Sequence, residues 1–177
     1  MVGIKSDVGV VRSLNEDYAG YIEEPRYRLY VVADGMGGHN AGEVASKIAV
    51  DTVKAYVRDN YENEGSSVLE NAVSFANSKI YESATSGSEY RGMGTTLVAA
   101  LISNGEIIIA NVGDSSCFGI KDSTIVKITK DHSLVQELID SGTITEEEGR
   151  NHPKKNVITR ALGTNNIVKI EDRKSVV

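Results

Sequence analysis

Residues 31–39 read Val-Val-Ala-Asp-Gly-Met-Gly-Gly-His, an apolar run that leads into one acidic residue within a glycine-rich turn. The short continuous apolar run at 29–33 predicts a buried strand. The glycines that follow permit positive φ angles and a close approach of the backbone to a ligand. We therefore expect Asp34 to present its carboxylate to a metal ion or a phosphate at the strand end, although an ordinary strand-to-helix turn has the same glycine pattern.

The sequence on either side of this stretch predicts two strands, two helices and then a meander. The strands are 18–22 and 29–33, and a helix from about 42 to 57 follows, with apolar side chains at helical spacing. A polar stretch, 59–67, precedes a second helix whose inner face begins at Leu69. Short β-branched runs then predict consecutive hairpins at 95–102, 106–112, 116–120 and 124–129. This order favours an α+β fold, with an antiparallel sheet and helices packed outside it, over a parallel doubly wound sheet.

The composition is that of an ordinary globular chain. With 40% hydrophobic and 25% charged residues, 177 residues are enough for one domain with a sizeable core. The net charge of -6 and the scattered basic residues argue against a nucleic-acid interface and favour an acidic cleft that binds cations. Cys117 is the only cysteine, so no intrachain disulfide can form. Residues 1–7 lack a signal-peptide core and the longest apolar run, 97–102, is too short to span a membrane, so we expect a cytoplasmic protein, monomeric by default.

Acidic residues recur next to predicted strand ends. Asn15-Glu16-Asp17 precedes the first strand, Asp34 follows the second, and Asn111-Val112-Gly113-Asp114 ends a later one. Each carboxylate alone could be a solvated turn residue, but three with the same placement can converge on one cleft. Oxygen ligands without paired cysteines or histidines at zinc-ligand spacing favour Mg²⁺ or Mn²⁺ over zinc. No acidic loop has the spacing of an EF-hand, which argues against a calcium-binding module.

Taken together, the motifs resemble the metal-dependent, type 2C protein serine/threonine phosphatases, and in particular their small bacterial forms. The resemblance covers nearly the whole chain. Six groups of residues follow the family's order: Gly9, Val11 and Arg12 with Asn15-Glu16-Asp17; Val32-Ala33-Asp34-Gly35-Met36-Gly37-Gly38; Met93-Gly94-Thr95-Thr96; Asn111-Val112-Gly113-Asp114-Ser115; Thr129 with Asp131-His132-Ser133; and His152-Pro153, Asn156, Thr159-Arg160 and Leu162-Gly163.

The resemblance implies a site for two Mn²⁺ or Mg²⁺ ions. Asp34 would bridge both ions and Gly35 would contribute its carbonyl oxygen to one of them. Glu16 and Asp17 would serve the second ion, directly or through water. Asp114 lies where some bacterial members bind a weaker third metal.

The same resemblance implies hydrolysis of phosphoserine and phosphothreonine in proteins by a metal-activated water. Arg12 matches the phosphate-binding arginine, a role that suits the guanidinium because its fork grips two phosphate oxygens at once. His39 is the candidate acid for the leaving oxygen, with a water in that role as the alternative. Residues 131–163 match a flap subdomain beside the cleft that influences substrate choice, and His132 and His152 within it are expected to be structural. The implied partners are phosphorylated proteins and an opposing Ser/Thr kinase.

The family fold is an antiparallel β-sandwich flanked by helices on both outer faces, in four layers. Family members continue further, with strands that carry two more ligand aspartates. We therefore expect 1–177 to be one phosphatase domain that is incomplete at its C-terminus, with an apolar sheet edge left uncovered. Residues 172–177 are also what a common sequencing adaptor encodes in one frame before a stop codon, which indicates an artificial end. The chain would then be a weakly active or inactive phosphatase fragment or, alternatively, a non-catalytic relative that binds phosphoprotein or metal.

Overall fold

An antiparallel sheet of six strands organises the computed structural model, which describes residues 1–38, 41–86 and 89–176. The strands in chain order are β1 (Asp17–Glu23), β2 (Arg28–Met36), β3 (Gly94–Thr95), β4 (Leu97–Ser103), β5 (Glu106–Val112), β6 (Phe118–Lys121), β7 (Thr124–Lys127) and β8 (Glu171–Val176). The large sheet has the order β1-β2-β4-β5-β8, with β3 paired to β2, while β6 and β7 form a separate two-stranded sheet. The α+β class and the antiparallel sheet predicted from the sequence are confirmed.

Two long helices cover one face of the large sheet. They are α1 (Ala41–Glu64) and α2 (Val68–Ser86), and the shorter helices α3 (Leu134–Asp140) and α4 (Glu146–Arg150) lie in the segment predicted to be a flap. Alternate residues of β2, such as Leu29, Val31 and Ala33, are buried in the same core cluster as apolar residues of α1 and α2. Alternation buries one face of a strand and leaves the next side chains, here including Asp34, on the other.

The first helix is longer than its apolar periodicity predicts. The stretch expected to be a polar linker continues α1 to Glu64, because its side chains bond back to the helix. Tyr56 Oη donates to Glu64 Oε1 at 2.8 Å and Asn60 Nδ2 donates to the Tyr56 carbonyl at 2.9 Å. The helix ends only where Gly65 adopts a φ of 55°, at the start of a 3-10 turn.

Strand β2 also continues further than expected, so Asp34 lies within a strand and not at its exit. Residues 28–32 pair with β4, and the strand then changes partner, with Gly35 and Met36 paired to Thr95 and Gly94 of β3. Between the two pairings, Thr96 N donates to the Asp34 carbonyl at 2.9 Å. A second strand thereby holds the backbone at Asp34 in place.

The meander is formed by tight hairpins. The β4–β5 turn has positive φ angles at Asn104 (51°) and Gly105 (77°), and the β6–β7 turn has them at Asp122 (49°) and Ser123 (63°). This is the pattern of two-residue turns whose twist matches that of the paired strands.

The sheet contains one strand after Ile170, since β8 pairs antiparallel with β5 from Asn111↔Glu171 to Glu106↔Val176. Among the described residues, β8 is the outermost strand on this side of the sheet. None of the helices in the described ranges carries an apolar stretch long enough to cross a membrane.

Candidate metal and phosphate site

A cleft of about 600 Å³ opens on the sheet beside β2 and the flap segment, residues 131–163. Four of the side chains predicted to be functional, Arg12, Glu16, Asp34 and Asp114, line it together, and Gly35 contributes to its floor. These residues come from three separate parts of the chain. The structure thus gathers the predicted acidic motifs and the predicted phosphate ligand around one space.

Asp17 and Asp34 lie directly opposite each other on the neighbouring strands β1 and β2. They are cross-strand partners at the end of the β1–β2 pair, so their side chains share the sheet face that opens on the cleft. The cleft walls partly enclose the Asp34 carboxyl, and the negative charges of Asp17 and Asp114 lie nearby. Both effects raise the pKa of Asp34, to about 6, although the positive charge of Arg12 acts to lower it. The site therefore carries more negative charge than its own residues neutralise, a condition that a bound divalent cation would relieve.

Glu16 is held by contacts that only small residues allow. Its carbonyl oxygen accepts hydrogen bonds from Gly35 N at 3.1 Å and from the buried Ser46 hydroxyl at 2.6 Å. A Cβ atom on Gly42 would lie 2.5 Å from Glu16 Oε1, so the carboxylate rests directly against the first turn of α1. Arg12 Nη1 lies 3.9 Å from Glu16 Oε2, a loose contact at the exposed mouth of the cleft.

Asp114 lies on a loop that is fixed from two sides. Gly113 adopts a φ of 108°, its N–H donates to His132 Nδ1 at 3.0 Å, and its carbonyl accepts from His132 N at 2.9 Å. On the other side, Ser115 Oγ and Thr96 Oγ1 are hydrogen-bonded at 2.6 Å. The loop after β5 consequently holds its carboxylate in a defined position relative to β2 and the flap segment.

The histidines have contacts of different kinds. Because His132 Nδ1 accepts a hydrogen bond, the proton of the neutral ring lies on Nε2, which is 3.2 Å from Glu171 Oε2. Burial and the charge of Arg160 lower the pKa of His132, with Glu171 opposing them. His152 Nδ1 accepts from Lys154 N at 3.1 Å. Both contacts are of the structural kind expected for these two residues, whereas His39 lies outside the described residues.

The donor chemistry fits hydrated Mg²⁺ or Mn²⁺. The cleft is lined by three carboxylates, Glu16, Asp34 and Asp114, and Gly35 can add a backbone carbonyl oxygen. Within 1–38, 41–86 and 89–176, no three His, Cys, Asp or Glu side chains lie close enough together to hold one ion among them. Mg²⁺ commonly keeps several waters and binds through only one or two carboxylates, which is compatible with this spacing.

The flap segment is anchored beside the cleft. Ser133 and Ile158 form an antiparallel bridge near its base, and Leu162 forms a second bridge with Thr95. Between these points, Ser133 caps α3 and a capping box between Thr145 and Glu148 begins α4. Two of its residues, 156 and 158, reach the cleft wall.

Sequence reasoning assigned no role to four further side chains that line the cleft, which are Met36, Thr96, Asn156 and Ile158. Met36, Thr96 and Asn156 belong to motifs that carried the family resemblance, which was the available signal. The change of strand partner at Asp34 brings Thr96 to the cleft, and the two bridges bring the flap residues there. Neither arrangement has a periodicity that could be read from the sequence.

Comparison with known proteins agrees with this description. A model of the family "Protein phosphatase 2C" matches residues 10–170. The chain is 40% identical over 172 residues to the serine/threonine phosphatase Stp of Listeria welshimeri, an alignment that covers 94% of this chain and 68% of that protein. It is 40% identical over 160 residues to the phosphatase PstP of Mycobacterium tuberculosis, covering 89% of this chain and 30% of that one.

Solved structures give the same result. The crystal structure of the phosphatase Stp1 from Staphylococcus aureus superposes with a TM-score of 0.88 at 40% identity, covering 97% of this chain and 69% of that one. The catalytic domain of PstP in complex with two manganese ions has a TM-score of 0.79 at 35% identity, covering 97% of this chain and 70% of that chain.

Proposed function

The chain belongs to the protein phosphatase 2C family, and on that basis we propose that its cleft hydrolyses phosphoserine and phosphothreonine in proteins with two Mn²⁺ or Mg²⁺ ions and binds a weaker third ion. The observation that carries the proposal is the convergence of Arg12, Glu16, Asp34 and Asp114 on one cleft. Carboxylates would hold the metals, and a guanidinium would hold the anionic substrate. Metal binding needs negative side chains and phosphate binding needs a positive one, and the cleft is lined by both kinds.

Each residue has a proposed task. Asp34, with the Gly35 carbonyl, would hold the ions at the centre of the site. Glu16 and Asp17 would serve the second ion, and Asp114 a weaker third one. When bound, a metal pair supplies a water of lowered pKa that attacks the phosphorus atom. The protein's own contribution is to fix these oxygens and to orient the phosphate.

Proton transfer to the leaving oxygen is assigned to His39 or to a water. We further propose that the flap segment, 131–163, contributes to substrate choice, since Asn156 and Ile158 line the cleft. The phosphoprotein substrates, an opposing Ser/Thr kinase, the monomeric state and the cytoplasmic location stay predictions from the sequence.

Arg12 offers a direct test of the phosphate site. Its side chain is 69% exposed at the cleft mouth, so a lysine can occupy the same space. We expect Arg12→Lys to raise KM for a phosphopeptide several-fold and to change kcat less, because an ammonium loses the bidentate grip. The matched control is Arg26→Lys, since Arg26 is 68% exposed and lies at the opposite end of the β1–β2 hairpin. Equal KM values for both variants would remove Arg12 from the site.

A second candidate function is phosphoprotein or metal binding without turnover. Among the described residues, no three His, Cys, Asp or Glu side chains lie close enough together to hold one ion, which favours this function because a loosely held metal activates water poorly. The two functions differ in whether bound phosphopeptide is hydrolysed.

Phosphate release from a phosphothreonine peptide by residues 1–177, with Mn²⁺ or with EDTA, separates these functions. We expect slow release that depends on Mn²⁺, far below the rate of the Listeria welshimeri relative under the same conditions. Peptide binding without release would favour the second function. Release at the rate of the relative would show that the weak-activity proposal is wrong. If the chain shows no peptide binding and no phosphate release, both functions are refuted.

A further inference from the structure

One buried hydroxyl connects strand β2 with the loop after β5, and each of these two segments carries a carboxylate of the cleft. Thr96 is 3% exposed, and its Oγ1 accepts a hydrogen bond from Asp34 N at 3.0 Å. The same oxygen lies 2.6 Å from Ser115 Oγ, in the loop that carries Asp114. A single side chain therefore contacts the backbone at one proposed metal ligand and the immediate neighbour of another.

The backbone and methyl group of Thr96 reinforce both contacts. Thr96 N donates to the Asp34 carbonyl at 2.9 Å, so the two residues are joined by a reciprocal pair of bonds. A Cβ built on Gly113 would lie 2.6 Å from Thr96 Cγ2, which shows that the methyl group lies against the turn that leads to Asp114. The hydroxyl and the methyl group thus both contact the loop that holds Asp114.

We infer that Thr96 is a positioning residue that holds Asp34 and Asp114 at a fixed separation for metal binding. The inference rests on the metal site proposed above and adds a residue that does not itself ligate. Partners that orient metal ligands typically contribute about 10- to 100-fold to metal affinity. Thr96 has the contacts of such a partner, because it is buried, hydrogen-bonded and shared between two ligand segments.

The test compares Thr96→Val with Thr96→Ser. Valine keeps the shape and removes the hydroxyl, whereas serine keeps the hydroxyl and removes the methyl group. Mn²⁺ binding is measured by titration with electron paramagnetic resonance detection, which does not require turnover. Exchange of the Asp34 amide hydrogen is measured by NMR on metal-free protein, as a direct report on the Asp34 to Thr96 bond. Thr52→Val is the matched control, since Thr52 is buried (8% exposed) on α1 and lines a groove away from the cleft.

We expect Thr96→Val to weaken at least one Mn²⁺ binding step by about 10-fold or more and to accelerate exchange of the Asp34 amide. Thr96→Ser should restore binding to within about threefold of wild type, and Thr52→Val should bind as wild type does. Unchanged Mn²⁺ affinity in Thr96→Val would overturn the inference while leaving the proposed metal site intact. Weak binding in both Thr96 variants would overturn the assignment of this role to the hydroxyl, because serine retains the hydroxyl and would then fail to hold the two ligands. If the wild-type protein binds no Mn²⁺, the metal site itself is wrong and the inference falls with it.

Discussion

Asp34→Asn is expected to abolish Mn²⁺ binding while making the metal-free protein more stable. Asparagine has the same shape but no charge, so the ligand that is proposed to serve both ions loses its attraction for them. The gain in stability follows from the raised pKa. Burial and the nearby Asp17 and Asp114 raise the pKa of Asp34 to about 6 in the folded protein, from an ordinary value of 3.8. The ionised carboxylate therefore opposes folding, increasingly as the pH rises from about 4 to about 6 and in full above that. Removing the charge relieves its repulsion with Asp17 and Asp114, by an amount that solvent at the cleft mouth reduces.

Calorimetric titration with Mn²⁺ and thermal unfolding of the metal-free protein measure the two effects on one sample. The combination excludes unfolding as the cause of lost binding, because the variant should melt at a higher temperature than wild type at pH 7 and at the same temperature below pH 4. Asp59→Asn is the control, since Asp59 is 66% exposed on α1 and forms no part of the cleft. Wild-type Mn²⁺ affinity in Asp34→Asn would contradict the assignment of Asp34 as the central ligand.

Gly35→Ala is expected to be the most destabilising single methyl addition near the site. A Cβ atom on Gly35 would overlap the carbonyl oxygen and carbon of Gly42 and lie 2.7 Å from the Glu16 carbonyl oxygen. All of these are backbone atoms, which cannot move away as a flexible side chain can. We expect a loss of more than about 3 kcal/mol in unfolding free energy, above the usual range for an overpacked core. That is a large share of the roughly 5–15 kcal/mol by which domains are stable.

Gly38→Ala is the matched control for this prediction. Gly38 lies three residues further along the chain, just beyond the end of β2, and a Cβ atom there would meet no atom of the described residues within 4 Å apart from its chain neighbours. Its unfolding free energy, measured by urea denaturation, should change by no more than about 0.5 kcal/mol. Similar stabilities for the two alanine variants would show that β2 and α1 do not pack as closely as described.

The periodic parts of the fold could be predicted from the sequence. The core positions of the two long helices repeat at helical spacing, and Asn104-Gly105 marks a hairpin by its own backbone preference. The continuation of α1 to Glu64 could not be predicted, because it depends on side chains that form hydrogen bonds within the helix beyond the end of its apolar periodicity. The continuation of β2 to Met36 depends on a new strand partner, β3, which is 58 or more positions away in the chain and leaves no local pattern.

Some features of the candidate site could likewise be predicted from the sequence, and others could not. Glu16, Asp34 and Asp114 could be proposed because each lies beside or within a predicted strand, and Arg12 because the resemblance supplied its role. Their convergence on one cleft needs the register of β1 against β2 and the hydrogen bonds around Thr96. Such contacts join residues 17 to 62 positions apart, so the sequence indicates the ligands but not what holds them together.

The two bridges that close the flap segment have an evolutionary consequence. Ser133 pairs with Ile158, and Leu162 pairs with Thr95. The two ends of the flap segment are therefore held together where the segment leaves the core and returns to it. Insertions and substitutions beyond such paired ends change the surface without disturbing the chain that supports it. The part of the segment between Ser133 and Ile158 can therefore diverge among relatives, while His132 and the carboxylates on the sheet stay as they are. Substrate preference and phosphate chemistry would then be inherited separately.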